Sequence, residues 1–109
     1  MQRYRITDSD LGFAREFLAE PLGYKSPGLQ RVLNLMRGSG PEGKYVLLCR
    51  EPYRRWALGR LPARRGEPIV EVPGVEYTDL REAERDVFRR RWRDLAGEAL
   101  EDSLAREAR

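Results

Sequence analysis

The sequence has no histidine, one cysteine and two lysines, and nowhere do about eighteen apolar residues run together. Histidine supplies most general bases near neutral pH and most transition-metal ligands, so its absence excludes a Ser/His/Asp or Cys/His centre. Cys49, alone, can close no internal disulfide, and its place in the apolar run Tyr45–Cys49 predicts a buried thiol in a reducing compartment. No Asp-x-Asp-x-Asp or paired-cysteine spacing offers a metal site. The best carboxylate candidates for catalysis, Glu42 and Glu51, lie in turn chemistry with no visible partner. Neither catalytic residues nor metal ligands are assigned to this chain. The start, Met1-Gln2-Arg3-Tyr4-Arg5, has no apolar segment of the kind that targets or spans a membrane, and the expected location is cytoplasmic.

What is present is charge. Lys and Arg total 21 against 18 Asp and Glu, a net +3 with pI near 9.3. Because only Lys25 and Lys44 are lysines, the arginine excess, with abundant Ala, Gly, Pro, Leu and Glu, matches a GC-rich coding bias, which weakens a functional reading of the charge. A chain of 109 residues, 40% hydrophobic, makes one small domain that buries about two thirds of its unfolded surface.

The stretch from Lys25 to Leu61 is the organising unit. Ser26 is an N-cap type, Pro27 suits the first helical position, and Leu29, Val32, Leu33 and Met36 recur at i, i+3, i+4, i+7. A helix over 26–37 follows, stopped by Gly38, Ser39, Gly40 and Pro41. Its opposite face carries Gln30, Asn34 and Arg37 at i, i+4, i+7, either a solvated face or a recognition row.

Before it, 7–20 reads as a helix with Leu11, Ala14, Phe17 and Leu18 on its stripe, and Phe13 off the stripe covers a neighbouring element. After it, 44–61 reads as a hairpin. Tyr45–Cys49 is apolar on both alternating faces, a strand covered on both sides. Glu51-Pro52-Tyr53 turns the chain, and Gly59 marks a bulge or close backbone approach. Residues 62–78 form an exposed loop with a short strand over Ile69–Val72 broken by Pro73-Gly74.

From 79 to 105 the pattern is helical, with Asp79 and Glu82 spaced as a capping box and Leu80, Ala83, Val87, Phe88, Trp92, Leu95, Ala96 and Ala99 forming a stripe. Unbroken, it runs roughly 39 Å at 1.5 Å per residue, longer than the domain is wide, and an overhanging helix implies a partner. Arg89, Arg90, Arg91 and Arg93 alternate with acids at i±3 and i±4, the pattern of surface ion pairs, and Trp92 reads as core. The fold class is α+β: two short N-terminal helices, a small antiparallel hairpin or three-stranded sheet, and a long C-terminal helix.

Ser26-Pro27, Leu29-Gln30-Arg31-Val32, Asn34, Arg37, Gly43-Lys44-Tyr45, Arg50-Glu51, Tyr53 and Trp56, with Val87-Phe88, Arg90 and Arg91 later, resemble the small (alpha) subunit of N,N-dimethylformamidase over about Tyr24 to Leu100. The chain departs from that pattern at Leu33, Leu35 and Met36, where more polar or aromatic character is expected. The resemblance implies a heteromeric amidohydrolase whose large partner subunit carries iron, the small subunit packing on it without supplying ligands or a cofactor. Partner contacts are expected on the helix–hairpin unit, at Tyr24, Gln30, Arg31, Asn34, Arg37, Tyr53 and Trp56, with the C-terminal helix as a second contact. The competing class is a small basic nucleic-acid-binding protein, with Tyr45, Tyr53 and Trp56 stacking bases among arginines.

Overall fold

A computed structural model describes residues 6–37, 44–62, 64 and 66–108. The backbone N–H of Thr7 donates to the Asp10 carboxylate at 3.1 Å, and a 3₁₀ turn over Asp8–Asp10 leads into α1, Leu11–Ala19. The first turn of the expected 7–20 helix is thus tighter than α. Leu11, Ala14 and Phe17 are buried and Leu18 partly so, as the stripe predicts. α2 spans Pro27–Arg37, with Ser26 Oγ accepting from the Leu29 N–H at 3.2 Å and all four stripe residues buried. Phe13 covers α2, its ring lying over Gly28. The expected stop signal, Gly38 to Pro41, and Glu42 and Gly43 fall outside the described residues.

Three antiparallel strands follow in the order β1 (Tyr45–Glu51), β2 (Arg55–Arg60), β3 (Val70–Tyr77). The third strand is longer than the Ile69–Val72 segment read from the sequence. Pro73 and Gly74 do not end it, because they sit in a bulge where the register shifts against Ala57 and Gly59, and an edge strand tolerates a residue that cannot donate. The close approach expected at Gly59 is made by the chain itself: a Cβ there would stand 2.7 Å from Ile69 Cγ2 and 3.2 Å from Leu48 Cδ1.

The expectation that β1 is covered on both sides is corrected. Of its residues Tyr45 is buried, Val46, Leu47 and Leu48 are half-buried, and Cys49 is exposed rather than buried. The reason is where the covering helix crosses. Val87 packs on Tyr45 and Leu58, with Leu47, Val72, Val75 and Tyr77 around them, so the far end of β1 at Cys49 extends past the covered patch.

The unbroken 79–105 helix is also corrected. α3 covers Leu80–Ala96, Gly97 adopts left-handed φ 81 with its N–H on the Arg93 carbonyl at 2.9 Å, and α4 resumes over Leu100–Glu107. Glycine takes that conformation without the Cβ penalty, which is why the break falls there. The turn folds α4 back so that Leu100 joins the core with Phe88 and Trp92. Arg106 then bridges Asp8 and Glu98, both at 2.7 Å, tying the last helix to the first turn. Seventeen residues of α3 span about 26 Å, within extents of 39 × 35 × 25 Å, so no overhang remains to imply a partner. The main core joins α1, α2, α3 and α4, with Phe17 stacked on Phe88 at 4.4 Å. Among the described residues no helix is long and apolar enough to cross a membrane.

Candidate interaction surface

The outward face of α2 is anchored before it is displayed. Glu16 on α1 accepts from the Ser26 N–H at 2.8 Å and from Ser26 Oγ at 2.6 Å, so the same serine caps α2 and ties it to α1. These hydrogen bonds hold the Glu16 carboxyl below the usual carboxylate range. Gln30 Nε2 donates back to the Lys25 carbonyl at 3.0 Å. Arg31 donates to Asp10 Oδ1 at 2.8 Å and its guanidinium lies 5.9 Å from the Phe13 centroid, so it serves the α1–α2 contact. Asn34 and Arg37 continue the exposed row to the helix end, and Tyr24, 84% exposed, stands in the turn before it.

Tyr53 and Trp56 are elsewhere. Arg91 on α3 donates to the Tyr45 carbonyl at 2.9 Å and lines the same cavity as Arg37, so α2 ends near the Tyr45 end of the sheet. Tyr53 lies beyond the opposite end of β1, roughly 20 Å away at 3.3 Å per strand residue. The seven expected contact residues therefore fall into two groups: Tyr24, Gln30, Arg31, Asn34 and Arg37 on the helical side, and Tyr53 and Trp56 at the hairpin.

At that hairpin the Arg54 N–H closes on the Glu51 carbonyl at 3.0 Å, and Tyr53 has φ 64. Glycine or asparagine suits this left-handed position, and a tyrosine there costs on the order of 1 kcal/mol. Its side chain is 94% exposed and recovers little of that by packing. Trp56 is half-buried, paired across the strands with Cys49 and Tyr77.

Tyr45, by contrast, is closed in. Arg60 and Arg90 lie over its ring at 5.1 and 5.9 Å and Val87 packs against it, which leaves no face for a nucleic-acid base. Arg90 also binds Asp86 at 2.9 Å, and Asp86 accepts from the Tyr77 hydroxyl; burial and this carboxylate push the Tyr77 pKa upward. Arg90–Asp86 is an i, i+4 pair of the kind the interspersed acids predict, whereas Arg89 pairs at 2.8 Å with Glu101, twelve residues on in α4.

Sequence reasoning missed Lys25, Glu84 and the inward turn of Arg91. With Arg37 they surround a cavity floored by Phe17 and Phe88. Lys25, one of only two lysines, was the available signal.

No curated protein matches the chain. The family model described as N,N-dimethylformamidase alpha subunit matches residues 5–103, nearly the whole sequence, and the chain belongs to that family.

Proposed function

We propose that this chain is the non-catalytic small subunit of a heteromeric amidohydrolase, packing on and stabilising an iron-bearing large subunit that hydrolyses a small amide. The family match over residues 5–103 carries the reading. The donor set of this chain does not fit an iron site: histidine is absent, the single cysteine is isolated, and among the described residues no three Cys, Asp or Glu side chains cluster. This supports the reading in which iron and the reacting groups belong to the large chain.

The contact surface proposed here has two parts, the α2 row with Tyr24 and the hairpin tip with Tyr53 and Trp56. Supporting it, Tyr24 and Tyr53 present amphipathic rings to solvent, the side-chain type enriched where interfaces are strongest. Tyr53 does so from a strained backbone that favours glycine, an arrangement a purely structural turn gains nothing from. Co-expression of the chain with a large N,N-dimethylformamidase-type subunit from the same host tests the reading. A stoichiometric complex through affinity and size-exclusion steps is expected, and two chains that elute separately overturn it.

A further inference from the structure

Between the α1–α2 turn, α2 and α3 lies a cavity of about 270 Å³. Phe17, Leu33 and Phe88 give it an apolar floor, while Lys25, Arg37 and Arg91 stand around it against one carboxylate, Glu84. Three cations facing one anion leave the cavity electropositive.

Two of the three are fixed by the fold. Lys25 Nζ donates to the Pro21 and Gly23 carbonyls at 2.9 and 3.1 Å and lies 5.8 Å from the Phe17 centroid. Arg91 spends part of its donor fork on the Tyr45 carbonyl and is largely enclosed. Burial lowers its pKa from the usual arginine value, Glu84 opposes that, and like-charge repulsion from Arg37 adds to it.

Arg37 is different. It is exposed at the last position of α2 and has no hydrogen-bond or ion-pair partner among the described residues. The helix C-terminus favours a cation there, but it does not account for two guanidinium groups converging on one cavity. Leu22, 44% exposed, lies at the mouth, and Tyr24 precedes Lys25 in the same turn.

We infer that this cavity is the socket for a carboxylate side chain of the large subunit, an Asp or Glu within an apolar segment, clamped between Arg37 and Arg91. The inference rests on the subunit reading above. A carboxylate between two guanidinium groups removes their repulsion and forms charge-assisted hydrogen bonds in a partly desolvated site. The apolar floor receives the methylene stem or a neighbouring apolar side chain. A protein occupant also covers Leu22 and Tyr24, which a free small anion leaves wet.

The test is assembly with the large subunit, measured by titration calorimetry at low and physiological salt, using the full chain and its Arg37→Gln and Arg37→Glu variants. Thermal melting of each variant at the wild-type temperature confirms that the fold is intact, as the exposed position predicts. Arg37→Gln should weaken the complex about tenfold and flatten its salt dependence, and Arg37→Glu should weaken it about a hundredfold or more. If the wild type forms a complex and both variants match its affinity and salt dependence, the socket is overturned while the subunit reading stands. If the wild type forms no complex, the subunit reading falls and takes the socket with it.

Discussion

The Phe13 ring lies directly over Gly28, where an added Cβ would stand 2.2 Å from ring atoms Cε1 and Cζ. α1 and α2 approach this closely only because α2 carries no side chain at its second residue. Gly28→Ala should therefore destabilise the chain by about 1–3 kcal/mol, the usual cost of overpacking a close contact, although alanine is the better helix former. Urea unfolding measures it. A variant as stable as the wild type would show that Phe13 swings aside freely.

Arg31 belongs to the same contact. The Asp10 carboxylate it binds is 1% exposed, so Arg31→Ala takes a charged donor from a buried acceptor. A loss of about 1.5–3 kcal/mol is expected. An exposed residue with no structural part stays within about ±0.5 kcal/mol, and a value in that range contradicts the assignment.

Acid should act through Glu16. Its folded pKa is depressed by hydrogen bonds from Ser26, so near pH 4 the unfolded chain binds more protons than the folded one. The stability contributed by Glu16 is present above its unfolded pKa and is lost as pH falls through the folded one. Melting temperatures of the wild type and Glu16→Gln should differ at neutral pH and converge in acid. A constant difference across the titration would remove Glu16 from the acid response.

Ser26-Pro27 and the 3.6-residue stripe made α2 readable in full, because cap, first position and core face agree with one another. Gly97 was less readable, since one glycine in a helical pattern is tolerated as often as it breaks it. Only the return of Leu100 into the core decides for the break. Cys49 failed for a different reason. Apolar composition shows that a strand has a buried face, but not how far along it the covering helix reaches. The cavity was illegible because Lys25, Arg37 and Arg91 come from a turn and two helices far apart in sequence. Periodicity assigns each a face without saying which faces meet. Among the arginines of α3, Arg90 forms the ion pair its spacing suggests, whereas Arg89 reaches across the Gly97 turn to Glu101 and Arg91 turns to the Tyr45 carbonyl.

Nucleic-acid binding should be weak and non-specific. The net charge is +3, and several exposed arginines are neutralised by acids, as in Arg50–Glu71 and Arg55–Glu76. Few phosphates are neutralised, so any retention of a duplex oligonucleotide at low salt should vanish by roughly 0.15 M. Sequence-preferring retention at that salt would contradict this.

The non-catalytic subunit claim is tested most directly by separating this chain from its large partner and measuring iron and formamide turnover in each fraction and after remixing. Iron should follow the large chain, this chain should show no turnover even with ferrous or ferric iron added, and remixing should give the longest-lived activity. Turnover by this chain alone, well above buffer, would contradict the claim.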